Sequence, residues 1–163
     1  MIGLAEKEIT VEVKHIELLA LSVFSLIILA LNLQVTFNSP IVFGDEGFHT
    51  YFAQKIWEEK EYFTWMPFEV TRLVKGGNTR PPYWNLLEAG FFLIFGFSEL
   101  IVKFLTPFIS MLTGIVVYIL VKRLFDDKVG LISSVVVITI PSFVTYSVLF
   151  YTDVLFTFFT TLA

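Results

Sequence analysis

Cysteine is absent from all 163 residues, which excludes a disulfide framework and any thiolate metal or redox centre. Charge is scarce as well: 16% of residues are charged, against about 25% in an ordinary soluble domain. The charges that exist are clustered. Uncharged runs lie between Glu17 and Asp45, between Lys103 and Lys122, and between Lys128 and Asp153. Each approaches or exceeds the ~18–20 apolar residues that a helix needs to cross ~30 Å of hydrocarbon. In lipid, such a run satisfies its backbone only as a helix. A basic leader is also missing. Glu6, Glu8, Glu12 and Glu17 precede the first apolar run and no small-residue cleavage pattern follows closely, so that run reads as a retained helix rather than a cleaved signal. The net charge of -4 decides little, because charges in a membrane protein are read by location.

What is present predicts an all-α membrane protein. It has three full transmembrane helices, the start of a fourth, and juxtamembrane amphipathic helices in the first outer loop. Residues 1–17 form a cytoplasmic N-terminal segment. There Ile9, Val11 and Val13 alternate weakly with Glu8, Glu12 and Lys14, which suits a short strand or a frayed helix start. The first span covers 18–37 and is closed by Asn38-Ser39-Pro40. The outer loop, 38–99, carries a helix at about 46–59, since Phe48, Phe52, Ile56 and Trp57 recur at helical spacing behind Asp45, a good N-cap. Lys75-Gly76-Gly77-Asn78 signals a turn. Pro81-Pro82 opens a second juxtamembrane helix, 82–97. Its uncharged part, Ala89 to Ser98, is too short to span, so a surface or partly inserted helix is expected.

The second span covers 100–121 and a cytoplasmic loop 122–128. The third covers 129–149 and carries Pro141; residues 150–163 form a second outer loop and the start of the fourth helix. Lys122, Arg123 and Lys128 in one tight connection place that loop in the cytoplasm. Counting from it, the N-terminus is cytoplasmic, and the 38–99 loop and Asp153 are outside. The last helix stops at Ala163 about half a crossing deep, which gives the expectation of an N-terminal part of a longer protein, inactive alone.

Under this topology several charged residues meet at the outer surface. Asp45 and Glu46 stand at the start of a helix, whose dipole favours a carboxylate. Arg80 precedes Pro81-Pro82. Asp153 sits in the apolar sequence Phe150-Tyr151-Thr152-Asp153-Val154-Leu155, where a carboxylate is costly and a functional candidate. Each has a plain alternative: Asp45 and Asp153 as helix caps, Arg80 as a headgroup anchor. His49, one turn after Asp45, suits a metal or acceptor contact, although one such pair is weak ground for a metal. Glu88 and Lys103 either pair with other charges or snorkel.

The arrangement resembles the N-terminal part of the C-type polytopic membrane glycosyltransferases, in particular the protein O-mannosyltransferases and the bacterial aminoarabinose transferases. The residues that carry it begin at Phe43-Gly44-Asp45-Glu46-Gly47-Phe48-His49-Thr50-Tyr51-Phe52-Ala53 and continue at Arg80-Pro81-Pro82-Tyr83-Trp84. They end with Ile94-Phe95-Gly96-Phe97-Ser98-Glu99, Lys103, Lys122-Arg123-Leu124-Phe125, Pro141 and Asp153. The resemblance implies transfer of a sugar from a polyprenyl- or dolichyl-phosphate donor to a protein or lipid acceptor. The setting is an integral, multi-pass protein of the plasma membrane or endoplasmic reticulum, active on the extracytoplasmic side. Partners are then the lipid-linked donor, the acceptor and membrane lipids, with no nucleic acid. Asp45, with Glu46, acts on the acceptor; Asp153 helps build the same site; Arg80 and Lys103 bind the donor phosphate. A divalent metal ion is left open. Arg80 replaces a commoner lysine or histidine, and Glu88 lies in a segment that is usually more apolar. Two other classes compete. A non-enzymatic membrane subunit would keep Asp45 and Asp153 far apart, and a transporter fragment would turn Glu88 and Lys103 to a central cavity.

Overall fold

The computed structural model describes residues 2–40, 45–60, 83–149 and 151–163, and side chains over 16–40, 46–60, 83–149 and 151–163. Among the described residues every regular element is a helix: α1 Ile2–Asn38, α2 Asp45–Glu59, α3 Tyr83–Phe95, α4 Glu99–Leu124, α5 Asp127–Thr139, α6 Pro141–Val148 and α7 Thr152–Leu162. No strand forms over residues 2–15. With neither proline nor glycine between Leu4 and Asn38, nothing interrupts α1 until Pro40, and the N-terminal segment joins the first span in one helix.

Two helices are long and apolar enough to cross a membrane, Ile16–Asn38 within α1 and Glu99–Leu124, and the bent pair α5 and α6 adds a third if it is one span. The chain is an integral membrane protein. The stretch 129–149, expected as one span, is broken. Pro141 has no N–H to give to Val137 and holds Ile140 in an extended conformation (φ -56°, ψ 125°), so the two helices meet at 61°.

The central helix is α4, which packs on α1, α3, α5, α6 and α7. It starts at Ser98, whose Oγ accepts from Leu100 N at 3.3 Å, and α5 starts at Asp126, whose Oδ1 accepts from Val129 N at 2.8 Å. Small residues let α4 and α5 close on each other. A Cβ on Gly114 would stand 2.7 Å from Ile138 Cγ2, and the Ser134 hydroxyl donates to the Gly114 carbonyl at 2.7 Å. The Ser110 and Ser147 hydroxyls lie 2.7 Å apart and tie α4 to α6. Close packing and short hydroxyl bonds are what hold helices together where lipid removes the hydrophobic drive. At the far end of α4, Lys122 pairs with Asp127, to which the Tyr118 hydroxyl also donates at 3.1 Å.

The apolar core lies at the opposite end. Ala53 of α2, Trp84, Ala89 and Phe92 of α3, Val102, Leu105 and Ile109 of α4, and Val154 and Leu155 of α7 form one buried cluster. The two short helices α2 and α3 therefore sit on the starts of α4 and α7.

Candidate functional site

The first element of the site is α2. Its inner face carries His49, Phe52 and Ala53, all buried, while Lys55 bonds to Glu59 at 3.0 Å and Gln54 to Glu58 at 2.8 Å on the opposite face. It ends at Glu59, followed by Lys60 at a positive φ of 59°.

In α3 the usual amphipathic order is inverted. Trp84, Asn85, Glu88, Ala89 and Phe92 face the protein, whereas Tyr83, Leu86, Leu93, Ile94 and Phe95 are exposed. An outer face of that composition suits hydrocarbon, and the polar side chains are inside. At 13 residues α3 is roughly 20 Å long, short of a crossing. Gly96, at φ +81°, closes the helix and gives its N–H to the Phe92 carbonyl at 2.9 Å, a conformation that strongly favours glycine.

The two helices run in parallel. His49 Nδ1 lies 2.6 Å from Asn85 Oδ1 near their starts, and the Trp57 ring stacks on Phe97 at 6.4 Å near their ends. In the tautomer that carries its proton on Nδ1, His49 donates this bond to the amide oxygen of Asn85. Deeper in the seam is Glu88, fully enclosed. Burial pushes its carboxyl up to about 8, and the Thr50 hydroxyl beside it opposes that shift. The opposition is weak, since neither Thr50 Oγ1 nor either Glu88 oxygen makes a hydrogen bond of normal geometry. Trp84 Nε1 and Asn85 Nδ2 are likewise buried without a partner.

The third element is α7. Asp153 stands exposed in its first turn. It lines an open pocket of about 520 Å³ with Tyr83, Trp84, Thr152, Leu155, Phe156 and Phe159. Trp84 thus walls this pocket while its neighbour Asn85 is bonded to α2. The starts of α2, α3 and α7 gather at one end of the molecule. Each points the positive end of a helix dipole toward that end.

Among the expected site residues, Glu46 and His49 are buried on α2 and Asp153 opens to the pocket. Asp45 is the first residue of α2, but its side chain lies outside the described residues, as does Arg80 altogether. Lys103 is nearly buried, bonds to Glu99 on its own helix at 2.7 Å, and is not among the residues lining the pocket. Among the described residues no three His, Asp or Glu side chains gather as metal ligands. The sequence reading missed Thr50, Asn85 and the Trp84 wall, and left Glu88 undecided. The available signal was the pair Asn85 and Glu88, three residues apart in an otherwise apolar helix.

Compared with known protein families, residues 79–163, just over half of the chain, match dolichyl-phosphate-mannose-protein mannosyltransferase. No curated protein and no solved structure matches the chain.

Proposed function

The chain belongs to the dolichyl-phosphate-mannose-protein mannosyltransferase family, and from that premise we propose that it forms the acceptor-activating part of a glycosyl transfer site. The donor is a polyprenyl- or dolichyl-phosphate sugar and the acceptor a hydroxyl on a protein or lipid. The observation that carries this reading is the pocket at the starts of α3 and α7: its walls are apolar, and its charged residue is Asp153. Such a pocket suits a ligand that is greasy at one end and polar at the other.

The chemistry is a displacement at the anomeric carbon. The acceptor oxygen forms a bond to that carbon as the bond to the phosphate oxygen breaks, and the acceptor proton passes to a carboxylate. Asp45, first in α2, is the base, and Glu46 next to it shapes the same site. Asp153 hydrogen-bonds sugar or acceptor hydroxyls. Arg80, three residues before α3, stabilises the departing phosphate through two parallel hydrogen bonds. The uncapped start of α7 supports it with free N–H groups, because Tyr151 offers no side-chain cap. Lys103, paired with Glu99 on its own helix, takes no part in this reading. His49 supports α2 from within rather than reaching the acceptor itself.

The three spans are α1, α4 and the bent pair α5 and α6, with α7 descending as the start of a fourth. The α4–α5 connection, with Lys122, Arg123 and Lys128, is cytoplasmic, and the site is extracytoplasmic. The test is transfer of labelled sugar from polyprenyl-phosphate mannose in membranes holding the complete protein that carries this chain. Label is expected in the protein or lipid fraction, and Asp45→Asn should abolish it. Full activity in that variant would remove Asp45 from the mechanism.

A further inference from the structure

We propose that the His49–Asn85 hydrogen bond, with Thr50 and Glu88 beside it in the same seam, fixes the start of α2, the helix that Asp45 opens, against the start of α3 and its pocket at Asp153. The proposal rests on the transferase reading above and adds to it a pair of positioning residues.

Placement is the first support. His49 lies one helical turn after Asp45 on α2, and Asn85 directly follows Trp84, the pocket wall that faces α7. A 2.6 Å bond therefore links the helix that carries the proposed base to the helix that forms the pocket. Beside it Thr50 of α2 faces Glu88 of α3, and the other α2–α3 contacts named above are apolar or aromatic, among them Ala53, Phe92 and the Trp57–Phe97 stack. Contacts of that kind are non-directional and let a helix turn or slide, whereas a buried hydrogen bond fixes rotation and register.

The second support is cost. Stability alone would place apolar side chains on the inner face of α3, because its outer face is already apolar. Instead Asn85 and Glu88 are enclosed there. Glu88 and Thr50 face each other without a hydrogen bond of normal geometry, and Asn85 gives its oxygen to His49. Buried polar groups of this sort are retained where a unique arrangement matters more than the depth of the energy well.

The experiment combines kinetics and distance in the complete protein. His49→Leu and Asn85→Leu are each expected to lower kcat at least tenfold while the donor KM stays within twofold. His49→Asn, whose amide occupies the place of Nδ1, should recover most of the rate. Nitroxide labels on Asp45→Cys and Asp153→Cys, with any cysteine outside these 163 cysteine-free residues replaced by serine, should give one narrow distance. That distance should broaden when His49→Leu is added and narrow again with His49→Asn. Unchanged kcat with only a lower melting temperature, or an unchanged distance distribution, would overturn the proposal. If the leucine variants do not fold, Asn85→Gln, which moves the amide by one methylene, serves in their place. Should the unaltered protein transfer no sugar, the transferase reading fails, while the label distances still decide whether the pair sets the position of α2.

Discussion

The α4–α6 bundle and the α2–α3 seam bury polar groups in opposite ways. In the bundle, Thr113 bonds to the Ile109 carbonyl at 2.9 Å, Ser134 to the Gly114 carbonyl at 2.7 Å, and Ser147 lies 2.7 Å from Ser110. Thr106 is the exception there. In the seam, Thr50, Trp84, Asn85 and Glu88 all hold buried polar atoms without partners. A fully satisfied network stabilises, whereas an unsatisfied one costs about 1–3 kcal/mol per group. The bundle is thus built to hold the molecule together, and the seam to hold α2 and α3 at a site. Polar substitutions in the first should move stability at every pH, and in the second they should move activity or the pH dependence of stability.

The widest separation is expected at the carboxylates. Asp45→Asn and Asp153→Asn should each lower transfer by about 10²–10⁴-fold, the range for a lost general base or its partner, with little change in thermal unfolding in detergent. A variant that melts early and keeps its specific activity would erase the distinction.

Glu88 comes next. Its carboxyl, raised from 4.5 to about 8, binds a proton in the folded protein that the unfolded chain has already lost. Stability is therefore full below the unfolded value and falls as pH rises through the folded one. From pH 5 to 9 the loss should be on the order of 2–4 kcal/mol, read from melting temperatures, and Glu88→Gln should flatten the curve. A wild-type curve that stays flat would show that Glu88 is charged or solvated.

Smaller effects belong to the bundle. Gly114→Ala, with its new Cβ pressed on Ile138, should cost about 1–3 kcal/mol and be relieved in part by Ile138→Ala. Ser134→Ala should cost about 0.5–1 kcal/mol and leave transfer per folded molecule unchanged. Loss of transfer in either would merge the two regions.

The helical, membrane-crossing character was legible because the scarcity of charge and the uncharged runs leave a chain no other solution in lipid. So was the family, through short motifs that are weak singly and informative in order, of which those at Arg80 and Asp153 lie within the matched residues 79–163. The break at Ile140–Pro141 was not foreseen: proline is tolerated inside α4, where Pro107 sits in a continuous helix, and its effect at 141 depends on what packs around it. The seam was not legible either. That His49 would turn inward to Asn85, rather than outward to a metal or acceptor, depends on the parallel pairing of α2 and α3 across residues 61–82. No periodicity within one helix encodes that pairing.

The most direct measurement is the separation of Asp45 and Asp153. Both positions are changed to cysteine, any cysteine outside these 163 cysteine-free residues is replaced by serine, and the protein is treated with bifunctional thiol reagents of graded length. If one site holds both carboxylates, reagents spanning about 10–12 Å, the reach of a phosphate and an acceptor joined by direct hydrogen bonds, should bridge them rapidly in membranes. Bridging only by much longer reagents, or labelling of the two positions from opposite sides of the membrane, would contradict a shared transfer site.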